Sequence, residues 1–145
     1  MDKPERTFLG KFSQNFIQKI TKNLYLPKIN PNKISALSVI FSILFIIFFN
    51  YSRILSIFIL FLVLLFDFLD GAVAKRYYKE GIEGYIIDVT CDRISEGIIF
   101  SIFFFPWFFL FSINLWLTIW SFYNKKHIVI PLRHIFLFYL ITFFI

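Results

Sequence analysis

Four aspartates stand inside the most apolar part of this chain, Asp67 and Asp70 on one stretch, Asp88 and Asp92 on the next. At the centre of a membrane helix each costs roughly 2.5 to 3.5 kcal/mol on insertion scales, so four together require a compensating cation or water. Their spacing indicates how they are used. A helix turns by about 100° per residue, which puts Asp67 and Asp70 at i, i+3 on one face and Asp88 and Asp92 at i, i+4 on one face of theirs. Two such helices side by side bring four oxygen donors together, the ligand set that Mg²⁺, Mn²⁺ or Ca²⁺ takes. The pattern predicts a two-metal site between helices. Acids that merely mark helix ends are the alternative. Asp67 fits that poorly, because it follows the apolar run Ile54 to Phe66 and lies near a helix C-terminus, where the dipole disfavours an anion.

Of the 145 residues, 59% are hydrophobic and 23 are phenylalanine, more apolar surface than a soluble core of this size buries. The expected fold is all-α, a polytopic transmembrane helix bundle forming one domain over 1–145, with a cytoplasmic or interfacial helix in 1–30 and the bundle in 31–145. Apolar stretches place five spans at 34–50, 53–74, 84–106, 107–123 and 129–145. The third and fourth divide near Pro106, with Ser112 to Asn114 as the other place for the break. The last span stops at Ile145 without a polar flank. In the lead, Phe8, Phe12, Phe16, Ile20 and Leu24 recur every four residues, with Lys11, Lys19 and Lys22 elsewhere on the wheel. Such an amphipathic helix lies on the membrane surface or packs against the chain's own spans. Pro27, Asn30 and Pro31 then end it. A long, polar and basic lead is not the pattern of a cleavable signal peptide.

Cations orient the bundle. Lys3, Arg6, Lys11, Lys19, Lys22, Lys28 and Lys33 precede the first span, Lys75, Arg76 and Lys79 follow the second, and Lys125, Lys126 and Arg133 follow the fourth. The opposite loops carry little beyond Arg53, so the positive-inside rule puts the N-terminus and the acid-bearing helix ends on the cytoplasmic side of an integral, multi-pass cell-membrane protein. A net charge of +6 there suits anionic headgroups and phosphorylated substrates rather than nucleic acid. The single cysteine, Cys91, excludes an internal disulfide or a cysteine-based zinc cluster and is expected to pack. His127 and His134 lack metal-ligand spacing with the acids, and with Trp107, Trp116, Trp120 and Tyr123 they are expected at interfaces or against lipid. The sequence has no Walker-type loop, no Ser-His-Asp arrangement and no internal repeat.

Small residues accompany the acids. Gly71 and Ala74 share the face of Asp67 and Asp70, and Gly84 shares that of Asp88 and Asp92. Each helix thus has a strip without bulk, open either to a flat or extended ligand or to close helix packing.

Written with its gaps, Asp67-x2-Asp70-Gly71-x2-Ala74-Lys75-x8-Gly84-x3-Asp88-x3-Asp92 resembles the signature of the CDP-alcohol phosphatidyltransferase family, D-x2-D-G-x2-A-R-x8-G-x3-D-x3-D. One position departs: the family's arginine is Lys75 here, with Arg76 directly after it. Lysine keeps the charge and loses the bidentate fork. The resemblance extends to Pro31-Asn32 and to Arg93-Ile94-Ser95-Glu96, and an arginine directly after the last aspartate resembles the branch that makes inositol phospholipids or their phosphates. It covers roughly residues 27–100; the family usually has six spans, against five here.

The resemblance implies transfer of a phosphatidyl-type group from a CDP-linked lipid, CDP-diacylglycerol or CDP-archaeol, to a small polar alcohol such as inositol phosphate, with release of CMP. Asp67, Asp70, Asp88 and Asp92 would hold two divalent cations, Mg²⁺ or Mn²⁺, and Asp92 would also be the general base. Gly71, Ala74, Lys75, Arg76 and Gly84 would receive the nucleotide, while Arg93, Lys125, Lys126 and Arg133 are the cations available to a phosphorylated acceptor. Glu96 would line the acceptor cavity or pair with Arg93. The resemblance also implies a homodimer. Two other classes compete: intramembrane prenyl transfer, which uses differently spaced aspartate pairs in longer bundles, and a non-enzymatic or degenerate small membrane protein whose carboxylates line a cation path.

Overall fold

The first helix begins where side-chain chemistry favours it: Asn30 Oδ1 accepts a hydrogen bond from Asn32 N at 3.0 Å, and Pro31 takes the first helical position, where an N–H would go unused. The computed structural model describes residues 5–6, 26, 28–77 and 81–144. They form five α-helices: α1 Pro31–Phe49, α2 Arg53–Tyr77, α3 Ile82–Phe100, α4 Phe109–Tyr123 and α5 Leu132–Phe144. A π turn, Phe104–Phe108, leads into α4, and a two-residue parallel pairing joins Glu5–Arg6 to Lys126–His127. The all-α bundle is as expected. The break after α3 falls at Pro106, where Phe105 is extended (φ −133°, ψ 139°) as a residue preceding proline prefers; Ser112 and Asn114 lie within α4. The amphipathic pattern over 8–24, Pro27 and Lys79 lie outside the described residues.

Among the described residues, three helical stretches, Pro31–Phe49, Arg53–Tyr77 and Phe104–Tyr123, are long and apolar enough to cross a membrane. Along α3 run Glu83, Asp88, Asp92, Arg93 and Glu96, and α5 is apolar over the 13 residues described.

The pattern of burial is that of a protein solvated by lipid. On α1 the buried positions include Ser35, Ser38 and Ser42, while Leu37, Ile40, Ile43 and Ile47 face outward. The other outward-facing side chains include Phe58, Phe61, Trp116 and Ile119, and the interior holds Ser56, Asp70, Ser95, Glu96, Asn114, Thr118 and Arg133. Apolar residues outside and satisfied polar groups inside suit hydrocarbon, which offers no hydrogen bonds. The serines meet that demand within the helix: Ser38 Oγ donates to Ser35 O at 2.7 Å and Ser42 Oγ to Ser38 O at 2.8 Å.

Helix α1 is the spine. Both α2 and α3 pack on it and make little contact with each other, while α5 packs on α2. An apolar core of Phe45, Leu60, Val63, Ile99, Phe100, Phe136 and Leu140 locks these helices together. The ring of Phe136 sits 4.8 Å from that of Trp107, 4.9 Å from Phe103 and 5.1 Å from Phe100. At the far end of α2, the Tyr77 hydroxyl donates to Leu26 O at 2.7 Å, and buried Leu26 packs with Ile34, Ala72 and Val73.

A polar clamp fixes where α5 starts. Asn114 Nδ2 donates to Ile130 O at 2.9 Å and to Glu96 Oε2 at 3.0 Å, and Asn114 Oδ1 accepts from Ile130 N at 2.9 Å. Further along, Ser121 Oγ donates to Lys126 O and accepts from Ile128 N at 3.2 Å. Each buried polar group left without a partner costs about 1 to 3 kcal/mol. Asn114→Ala is therefore expected to destabilise the protein by about 2 to 4 kcal/mol, and Asn124→Ala, at the exposed end of α4, by under about 0.5 kcal/mol. Unfolding titrations of the two variants in mixed micelles would check this difference.

Candidate active site

The acids lie where α2 and α3 diverge from their shared support on α1. Between them sits the guanidinium of Arg133, brought by the first turn of α5. It makes a two-pronged pair with Asp67: Nη1 donates to Oδ1 at 3.2 Å and Nη2 to Oδ2. Nη2 also donates to Asp92 Oδ1 at 2.7 Å, and Nη1 to Ser95 Oγ at 3.3 Å. Arg133 is only 4% exposed, so these contacts are poorly screened by water. One turn beyond Asp67, buried Asp70 accepts from Ser35 Oγ at 2.7 Å. Ser42 and Ser95 share a hydroxyl hydrogen bond that ties α1 to α3 behind Arg133. Asp88 is half-buried, one turn from Asp92.

Of the four carboxylates, Asp67 and Asp92 meet at one cation, and Asp70 is held by a serine. Among the described residues, no three carboxylate, imidazole or thiol groups stand together as a ready ligand set for a metal. The donors fit a hard cation nonetheless. Two carboxylates from different helices already share one positive group, Ser95 Oγ accepts from the same guanidinium, and Asp70 adds a carboxylate one turn from Asp67.

The glycines border open space. A Cβ at Gly71 or Gly84 would meet nothing within 4 Å, whereas one at Gly97 would lie 3.1 Å from the Phe111 ring. Close helix packing therefore explains Gly97 and leaves Gly71 and Gly84 to the ligand reading. Ala74 and Lys75 are half-buried, and exposed Arg76 lies 5.7 Å from the centroid of the Tyr77 ring.

The cations considered for an acceptor phosphate have different surroundings. Lys125 and Lys126 are exposed in the turn after α4, where Lys125 has φ 53°, while Arg133 points inward because Asp67 and Asp92 attract it there. Arg93 lies against Glu96, with Nη1 2.7 Å from Oε2 but without the alignment of a hydrogen bond, and its buried Nε has no hydrogen-bond partner. Of the two roles considered for Glu96, pairing with Arg93 is the one seen. Cys91 is half-buried with a free thiol, and His134 is exposed. The sequence reading missed Ser35, Ser42, Ser95 and Asn114. Serines at i, i+3 and i+7 on an otherwise apolar helix were the signal for the first two; Asn114 stood alone in an uncharged stretch.

Residues 28–142 match the family model described as CDP-alcohol phosphatidyltransferase. No curated protein and no solved structure is significantly similar to the chain.

Glycine within a helix is less favourable than alanine by about 1 kcal/mol. Gly71→Ala and Gly84→Ala, whose new methyl groups enter open space, are expected to hold or raise the unfolding midpoint, and Gly97→Ala to lower it as Phe111 is displaced. Thermal unfolding in detergent followed by circular dichroism would rank the three.

Proposed function

Since the chain belongs to the CDP-alcohol phosphatidyltransferase family, we propose that it transfers a substituted phosphate group from a CDP-linked lipid to an alcohol, releasing CMP, with the acids of α2 and α3 as its reaction centre. The observation that carries this reading is the meeting of Asp67 and Asp92, from separate helices, at one buried cation inside a lipid-facing bundle. Asp67, Asp70, Asp88 and Asp92 would hold two divalent cations, Mg²⁺ or Mn²⁺. Such ions, when bound, neutralise the donor's diphosphate and the charge developing on the leaving CMP.

The chain's own residues supply the rest. Open space at Gly71 and Gly84 lets the nucleotide approach the helix backbone beside the carboxylates, and Lys75 and Arg76 put positive charge at the same end of α2. Asp92 takes the proton of the acceptor hydroxyl as its oxygen bonds to phosphorus and the bond to CMP breaks. A carboxylate is a weak base for an alcohol, so that proton moves late and Asp92 contributes as much by positioning. Arg93, whose buried Nε has no hydrogen-bond partner, supports a phosphorylated acceptor such as inositol phosphate. The basic segments flanking the acids favour a site on the cytoplasmic face.

The test is CMP release by the purified protein with CDP-diacylglycerol or CDP-archaeol, Mg²⁺ or Mn²⁺, and inositol phosphate, glycerol phosphate, serine or inositol as acceptor. Release with one acceptor names the product lipid; silence across the panel in folded protein removes the reading. Asp92→Asn is expected to lower turnover by roughly 10² to 10⁴ while CDP-lipid still binds, as loss of a general base does. Unchanged turnover would strip Asp92 of that role. Asp70→Asn is expected to weaken divalent-ion and donor binding together, measured by calorimetry, and equal ion affinity would remove Asp70 from the ligand set.

A further inference from the structure

We infer that Arg133 holds the carboxylate site in a self-neutralised form, and that loading a divalent cation requires its guanidinium to leave Asp67 and Asp92. The inference rests on the reading of those acids as cation ligands.

Position comes first. Arg133 uses both oxygens of Asp67, and its Nη2 serves Asp67 Oδ2 and Asp92 Oδ1 at once. The carboxylate oxygens that Asp67 and Asp92 would offer a divalent ion are the ones that Arg133 occupies. Nη2 is already there, so the two exclude each other by volume. Charge works the same way, since a dication and a guanidinium this close repel strongly in surroundings that exclude water. Burial supplies the reason for the arrangement. Arg133 is almost wholly enclosed, and without it two carboxylates on separate helices would face one another unpaired. The site therefore contains positive charge whether or not an ion has arrived.

The consequence is measurable. A protein whose binding-competent form is only fractionally populated shows an affinity reduced by that fraction. Arg133 lowers the apparent affinity for divalent ions if it competes with them; it raises that affinity only if its ordering of Asp67 and Asp92 outweighs its repulsion of the ion. The two roles predict opposite signs.

Mn²⁺ binding to the purified protein in detergent, read from the electron paramagnetic resonance signal of the free ion, separates them. Arg133→Met is expected to bind Mn²⁺ more tightly than the parent by roughly tenfold. It should also melt earlier without the ion, and Mn²⁺ should raise its melting temperature more than it raises the parent's. Arg133→Lys keeps a buried charge but loses the fork, so it is expected to fall between the two. If Arg133→Met fails to fold, the lysine variant carries the test, with tighter binding than the parent as the expected result. Unchanged or weaker binding in the folded variants would overturn the inference and leave the cation-ligand reading standing. Absence of Mn²⁺ binding in parent, arginine variants and Asp70→Asn alike would overturn both.

Discussion

A carboxylate surrounded by hydrocarbon has to be given a partner, and the arrangement of this bundle follows from how its acids obtain theirs. Asp67 and Asp92 share the guanidinium of Arg133, Asp70 takes a serine hydroxyl from α1, and Glu96 is held by Arg93 and Asn114. These contacts join α1, α2, α3, α4 and α5, so one requirement, that no buried charge go unanswered, accounts for much of the tertiary structure. Removal of the hydrophobic effect as a force between helices makes this more important, because lipid is as apolar as leucine and packing alone must choose the neighbours.

The same requirement shapes α3, the helix over Ile82–Phe100 that carries the most acids. Glu96 is buried with Asn114 and Arg93 beside it, Asp92 meets Arg133, and Glu83 at the start of the helix is exposed. The first turn of α5 answers the same demand, held by the Asn114 clamp and by Arg133.

Much of this was legible in the sequence, and what was not has a physical cause. Periodicity and apolar runs gave the five helices, and the residue preceding Pro106 marked the break, because both depend on local chemistry. The grouping of Asp67 with Asp70, and of Asp88 with Asp92, followed from helical geometry. The partners did not. Arg133 is 66 residues from Asp67, and in the sequence it belonged with Lys125 and Lys126 as a charge orienting the chain; only tertiary packing turns it inward. Ser35 and Ser42 carried a spacing signal, whereas Asn114 carried none, since its role depends on a loop that passes beside it in space.

The stripe of Ser35, Ser38 and Ser42 has a consequence of its own. Because α2 and α3 rest on α1 more than on each other, the volume of those three side chains sets how far apart the acidic helices stand. Serine is nearly as small as alanine, so the separation is close to its minimum. Exchanging Ser38, which bonds only within α1, for a bulkier residue would press the acidic helices apart and leave the partners of the acids in place. In that sense α1 acts as a gauge: the distance between the acidic helices is written on the one helix of the trio that carries no acid.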